Sequence, residues 1–381
     1  MNEEPVFKPY GFQREKLVGL MKENDIRGVL LSSSENVYYT TCYTVLPSSG
    51  NPILYSLRNR LPFFVFISDD GEVTLFCWDF STKGVEFGVD QIKGFANFAG
   101  AVSSLQAHLT QNLDSDSTLG IESTCPYYVL QLIENTVRPA SLFEVDGLMS
   151  KLRLVKSEAE LELVKQSTAI IETTLSELYD LVHIGMSRLE LMQAAKSLLY
   201  KNGATGISHL TFSFGEANPE IAIGEELREN KLVTLDLGGI YRGYVSDNRR
   251  YMYTGDIPIS LLEHYNLMVE IVDSVGAQLV PGTKYSQVFG HAIELFERHG
   301  VVPAKQVTHV GHNMGLETEE EWITDDPDLR VGKGMVINIE LYSAAPTGEY
   351  IGDEETYTVG ESGPTRLSLL PRKIRTVNQT A

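Results

Sequence analysis

Along residues 12–24 (FQREKLVGLMKEN) apolar positions recur at helical spacing, and GVLLSS (28–33) then gives the unbroken apolar run of a buried strand. NVYYTTCY (36–43), LPFFVFIS (61–68) and EVTLFCW (72–78) read as further strands, rich in β-branched and aromatic residues. Asp69, Asp70 and Gly71 supply a hairpin turn between the last two. Helical spacing returns near 99–110 and 126–135, with STLGIES (117–123) as a strand between them. This alternation predicts a small α/β domain with a mixed sheet. It contains no glycine-rich phosphate loop.

The texture changes across 143–152. A long amphipathic helix begins near Ser157, where Ser157 and Glu160 form an S-x-x-E capping box. The pattern assigns 1–147 to an N-terminal domain and 148–381 to a C-terminal one. No Pro- or Ser-rich stretch separates them, which predicts docked rather than tethered domains.

The C-terminal part repeats itself. Residues 182–204 (VHIGMSRLELMQAAKSLLYKNGA) and 279–301 (LVPGTKYSQVFGHAIELFERHGV) share an apolar pair, a glycine turn, an amphipathic helix and a closing glycine. Gly185 aligns with Gly282 and Gly203 with Gly300 without gaps, and Ser187 with Glu190 caps the first helix. Two pseudo-equivalent units follow, each a helix pair with antiparallel strands, and two such halves facing each other enclose a central site.

The chain's 381 residues, 43% of them hydrophobic, suffice for two cores. A formal charge of −20 argues against nucleic acid and anionic membrane surfaces as partners. The N-terminus lacks the pattern of a signal peptide, and no apolar run reaches the roughly 18 residues that span a bilayer. Cys42, Cys77 and Cys125 form neither a metal motif nor a disulfide framework, so core packing in a reducing cytosol is expected.

TLDLGGIYRGYVSD (234–247) carries Asp236 and Asp247 on either side of a glycine-studded turn. With the turn near 240–243 the two become cross-strand neighbours, their Cβ atoms roughly 5 Å apart. Like charges that close are destabilising unless something positive lies between them, so the segment reads either as a charged surface hairpin or as part of a metal site whose other ligands lie elsewhere in the chain. THVGHNMGLETEEEW (308–322) holds His312 between glycines. In GMVINIELYSAAPTGEYIGDEETYTV (334–359), Glu340 ends one strand and Glu354 lies near the start of the next, after a turn near 346–348. The other seven histidines have no comparable context.

Asp236, Asp247, His312, Glu340 and Glu354, at separations of 11, 65, 28 and 14, resemble the metal ligands of the pita-bread metalloenzymes: prolidase, aminopeptidase P, creatinase and, more distantly, methionine aminopeptidases. DLGGIYRGYVSD is similar to that family's D-x-G-x-x-x-x-G-Y-x-S-D element, GHNMGLE to G-H-G-x-G-L-E/D, GMVINIE to G-M-V-x-x-I-E, and GDEETYTV, more loosely, to I-E-D-T-V-x-V. LRLVKSEAELELVK and SSENVYYTT extend the resemblance over most of the chain.

The resemblance implies an α+β protein with a creatinase-like N-terminal α/β domain and a C-terminal pita-bread domain, a pseudo-twofold antiparallel sheet covered by helices. It implies two divalent ions, manganese foremost, with cobalt, iron or zinc as alternatives. Asp236 would bind one ion, His312 with Glu340 the other, and Asp247 and Glu354 would bridge them. A bridging water would become the hydroxide nucleophile, with Glu340 taking its proton. Four carboxylates and one imidazole are a mostly hard donor set, which suits such ions. A homodimer is implied as well.

The accessory residues depart from the family pattern. Glu319 stands where a histidine is usual, seven residues after His312, and a second histidine expected within 215–224 is absent. Gly352 replaces an arginine two residues before the last glutamate, and Arg249 a threonine two residues after Asp247. A carboxylate at 319 favours a cationic group or acts as a base, or else belongs to an acidic surface turn, ETEEEW, and His309 is the candidate to supply the missing imidazole. The resulting expectation is a cytosolic dinuclear hydrolase resembling Xaa-Pro dipeptidase or aminopeptidase, acting on a short peptide or amide, with Glu340, Glu319 and His309 as catalytic candidates. The alternatives are a creatinase-, ectoine hydrolase- or dimethylsulfoniopropionate lyase-like enzyme for a small cationic or zwitterionic substrate, and a non-catalytic peptide-binding protein.

Overall fold

The computed structural model describes residues 6–47, 51–215, 225–303 and 306–377. The chain divides into two compact units, Met1–Arg153 and Leu154–Ala381.

In the first unit a six-stranded mixed sheet runs in the order Gln91–Phe95, Val73–Trp78, Phe64–Ser68, Ile26–Leu31, Thr118–Ile121, Ser141–Glu144. Helices Phe98–Asn112 and Tyr127–Thr136 cover a core that includes Phe64, Phe66, Phe76, Leu105 and Ile133. One stretch departs from its sequence pattern: the strand expected at 36–43 is a helix, Ser34–Thr41. Ser33 caps it by accepting from the Asn36 amide, and Cys42 ends it in a left-handed conformation with φ 58°. Seven of its eight residues are buried, so no polar stripe reveals a helical period, and a short apolar run alone does not separate the two structures. All three cysteines are free and buried, and burial pushes each thiol up to about 12, where it packs and does not react.

The second unit is a duplication. Its first half comprises α1 (Glu158–Leu181), α2 (Arg188–Lys201), β1 (Gly206–Ser213), β2 (Leu232–Tyr241), β3 (Tyr244–Val245) and β4 (Asn248–Tyr253). Its second comprises α3 (Ile259–Gly276), α4 (Tyr285–His299), β5 (Gly311–Asn313), β6 (Glu321–Trp322), β7 (Val336–Ala344), β8 (Tyr350–Gly360) and β9 (Gly363–Arg366), with β10 (Arg375–Thr376) returning to the first sheet. Both capping boxes read from the sequence are formed, at Ser157–Glu160 and Ser187–Glu190.

The halves match in detail. Gly185 and Gly282 have φ of 89° and 94°, and Gly203 and Gly300 also lie at positive φ. Two residues after the first glycine of each pair, Ser187 bridges Glu226 and Lys284 bridges Arg330, both antiparallel. The Gly185 amide donates to the Leu227 carbonyl and the Gly282 amide to that of Val331, each at 2.8 Å. Each helix pair covers its own core, Leu175, Leu191, Leu199 and Leu235 in one half and Val272, Val288, Ile337 and Ile339 in the other. The sheets adjoin where β4 meets β8.

Candidate metal centre

Asp236 lies near the middle of β2, directly opposite Thr211 of β1 and Arg249 of β4. This corrects the expected pairing of Asp236 with Asp247. The turn is a two-residue one at Arg242 and Gly243, with φ of 48° and 86°, so the register places Arg249 across from Asp236. Asp247 falls in the break just before β4, and His209 of β1 joins the two carboxylates. Its Nε2 lies 3.1 Å from Asp236 Oδ1 and 3.1 Å from Asp247 Oδ1. The close approach depends on Gly238, where a Cβ would come within 2.7 Å of the His209 ring and 2.0 Å of Ser208 Oγ.

The second half contributes His312 from β5 and a carboxylate pair from β7 and β8. Glu340 stands directly opposite Glu354, and it lies inside β7, which runs on to Ala344, rather than at its end. His312 Nε2 is 3.8 Å from Asp247 Oδ2 and 4.0 Å from Glu340 Oε1, beyond hydrogen-bond reach, and its Nδ1 is buried with no hydrogen-bond partner. Tyr342, two residues beyond Glu340 on the same face, places its hydroxyl 2.9 Å from Glu340 Oε2 and 3.0 Å from Glu354 Oε2. Asn338 Nδ2 donates to Glu354 Oε1 at 2.7 Å. All five residues line one cavity of about 780 Å³.

Strand alternation braces this face from behind. Asp353 and Glu355 flank Glu354 and point the other way. There Arg250 Nη2 meets Glu355 Oε1 at 2.6 Å and Arg372 Nη1 meets Asp353 Oδ2 at 2.8 Å, all four side chains at least nine-tenths buried. Glu354 therefore has little freedom to leave its place.

The cavity's own charges are unevenly shared. Burial raises the Asp247 carboxyl, but the adjacent His209 and His312 outweigh it and hold Asp247 below the ordinary carboxylate range. Burial together with Asp247 and Asp236 drives Glu354 well above that range, against the pull of Arg249. Burial disfavours the charged His209 ring, yet Asp247 and Asp236 raise its pKa well above the usual histidine value. Arg249 reaches into the cavity, paired with Asp236, its Nε 3.6 Å from Glu354 Oε2 and its Cζ 4.0 Å from the Tyr342 ring centre.

The accessory candidates separate. His309 lies inside, Nδ1 3.9 Å from Glu340 Oε1, its ring stacked 4.8 Å from that of Trp322. Glu319 lines the cavity at an exposed position and accepts from Trp322 Nε1 at 3.0 Å. Gly352 has no room for the family's arginine: a Cβ there would come within 1.9 Å of the Leu341 carbonyl oxygen. Of the 215–224 stretch, where the family pattern places a second histidine, residues 216–224 lie outside the described residues.

Sequence reasoning missed His209 and Tyr342. Both carry a periodic signal: His209 is two residues from Thr211, the partner of Asp236, and Tyr342 is two residues from Glu340.

The residues suit a divalent ion at the His312 end, where an imidazole without hydrogen bonds faces hard carboxylate oxygens. At the other end His209 Nε2 and one oxygen each of Asp236 and Asp247 lie within 4.8 Å of one another, a spacing one ion could also bridge.

Hard donors gathered where two halves of a duplicated unit meet are what a metal-dependent hydrolase needs, and comparison with known proteins gives that class. The chain belongs to metallopeptidase family M24, whose pattern matches residues 162–361, and the creatinase/prolidase N-terminal domain matches 13–155. It is accordingly a metal-dependent hydrolase of the peptidase class. It is 22% identical over 367 residues to an Xaa-Pro dipeptidase of Pyrococcus horikoshii, covering 94% of this chain and 97% of that one. Its fold superposes on a prolidase from Thermococcus sibiricus with a TM-score of 0.82, at 20% identity over 96% of this chain and 99% of the other. An X-Pro aminopeptidase from Thermotoga maritima gives 0.78, at 19% identity over 96% and 99%. The α+β architecture with a creatinase-like first domain and a pita-bread second domain is thereby established. No helix among the described residues is long and apolar enough to cross a membrane.

Proposed function

We propose that the protein hydrolyses short peptides, of Xaa-Pro type in the first instance, with divalent metal held by Asp247, His312, Glu340 and Glu354 and manganese as the first ion to try. The observation that carries this is His312: a buried imidazole, Nδ1 unpartnered, its Nε2 directed between the Asp247 and Glu340 carboxylates without a hydrogen bond. When bound, such an ion polarises a carbonyl and activates water. Glu340 is placed to accept a proton, because Tyr342 holds its Oε2 while Oε1 faces the cavity near His309. Phe296, Val307, Leu341 and Tyr350 give the cavity an apolar wall suited to a compact side chain such as a proline ring. His309, held against Trp322, stands where it can donate to a substrate oxygen or a departing amine.

Two ions are the reading the five-ligand pattern gives; the Asp236 half also contains Arg249, so the number of ions is a separate question. A small cationic substrate gains little support, since Glu319 is exposed and already bound to Trp322. A cytosolic homodimer completes the proposal, checked by sedimentation and by fractionation of cells.

A panel of dipeptides and tripeptides, assayed on protein loaded separately with Mn, Co, Fe and Zn, tests the reaction. The expected result is turnover of at least one Xaa-Pro substrate, abolished by chelation and reduced ~10²–10³-fold in Asp247→Ala, on the scale of losing a group that stabilises the transition state. A metal-loaded sample that leaves the whole panel intact would exclude peptide hydrolysis.

A further inference from the structure

Asp236 is occupied on both oxygens in a way that a ligand awaiting a metal should not be. Arg249 pairs with Oδ2, and His209 Nε2 lies 3.1 Å from Oδ1. We propose that the Arg249 guanidinium takes the place of one of the two ions, so that the centre binds a single divalent ion at its His312 end. This rests on the metal-dependent hydrolase reading given above and assigns Asp236 a different role, that of binding an internal cation.

The backbone fixes the arrangement. Arg249 is the direct antiparallel partner of Asp236 across β2 and β4, so the two side chains project from the same face. From there the guanidinium lies between Asp236 and Glu354, two of the three carboxylates that would hold the first ion, paired with Asp236 and with Nε 3.6 Å from Glu354 Oε2. Its Cζ lies over the Tyr342 ring, 4.0 Å from the ring centre, and Tyr342 is tied in turn to Glu340 and Glu354. Arg250, the next residue, is fully buried on the opposite face with Glu355, which pins the strand and prevents Arg249 from swinging out with it.

Charge points the same way. Four carboxylates balance two dications, and an arginine cannot shed its proton to make room. With Arg249 in place a second dication would bring surplus positive charge into a buried cavity. The His312 end is different: among the described residues no arginine or lysine lines the cavity there, and the groups near Glu340 Oε1 are the imidazoles of His312, which makes no hydrogen bond, and of His309, whose Nδ1 lies 3.9 Å away. One end already holds a cation of the protein's own, and the other does not.

The test is metal stoichiometry rather than turnover. Equilibrium dialysis of the full chain against Mn²⁺ alone, with elemental analysis and electron paramagnetic resonance, should give one ion per chain and an uncoupled manganese signal. In Arg249→Thr, which is shorter and uncharged, the count should rise to two and the signal should show spin coupling. Two ions in the native protein overturn the proposal, leave the hydrolase reading standing and make His209 an additional ligand. A count of one that does not change in Arg249→Thr, in a variant whose circular dichroism matches the native protein, also overturns it. No ion in either protein overturns both readings together. Where Arg249→Thr does not fold, Arg249→Gln, which keeps a long side chain without the charge, takes its place in the same count.

Discussion

Arg249 and Arg250 are chain neighbours with opposite surroundings, because a strand sends successive side chains to opposite faces. Arg249 enters the cavity beside Asp236, and Arg250 is buried behind it against Glu355. His108, in the first unit, shows what a buried polar side chain does without such a partner. Its ring stands edge-on to Phe66 and Phe76 at 4.9 and 5.3 Å, and neither ring nitrogen has a hydrogen-bond partner. Burial, with a smaller contribution from Lys93, pushes its pKa down to about 4, below the usual 6.5. The unfolded chain therefore binds the proton more readily than the folded one. The stabilising contribution is complete above pH 6.5 and is lost as pH falls toward 4. Urea unfolding at pH 7 and pH 4.5 should show His108→Phe losing less stability on acidification than the native protein; equal losses would show that this ring does not set the acid limb. The residue scale is also where the sequence was most and least informative. Five candidate ligands stood out by type and order, but His209 and Arg249 acquire their places only from the register of β1 and β4 on β2. That register depends on a turn whose centre lies one residue later than the midpoint of the two aspartates.

Elements that specify themselves locally were legible. Ser157 with Glu160 and Ser187 with Glu190 are complete signals within four residues, and both caps form. Helix Ser34–Thr41 was not legible, because burial on nearly every side removes the polar stripe from which a helical period is read. The repeat glycines fall between these cases: their alignment suggested equivalence, and their shared backbone conformation gives it a measurable consequence. Gly185 and Gly282 sit at φ of 89° and 94°, and a Cβ added at either would meet nothing within 4 Å. Alanine at each should therefore cost only backbone strain, about 1–2 kcal/mol. The two costs should be equal within error and additive in the double variant, since the glycines share no hydrogen-bond partner. Denaturant unfolding of Gly185→Ala, Gly282→Ala and the pair measures this. A large cost at one position with none at the other would mean that the two turns are not equivalent in the folded protein.

At the scale of the whole molecule, the candidate site is divided between the two halves of the second unit. The first half supplies Asp236, Asp247 and His209 from β2, the break before β4, and β1; the second supplies His312, Glu340 and Glu354 from β5, β7 and β8. No half could assemble the cavity alone, so an ion held there links the two core clusters of the unit through their sheets. Every candidate ligand lies within Leu154–Ala381. An ion that binds only the folded state stabilises the part that holds it, by about 2.7 kcal/mol at one hundred times Kd, or about 100-fold in the rate of exchange through unfolding. Hydrogen exchange of the full chain with and without Mn²⁺ should therefore slow most at amides in β2, β5, β7 and β8, with peptides from the six-stranded sheet of the first unit keeping their rates. Slowing confined to one half of the second unit would place the ion away from the seam. Equal slowing in the first unit would mean that the ion acts on the molecule as one cooperative body, with no confinement of its effect to the unit that carries the ligands.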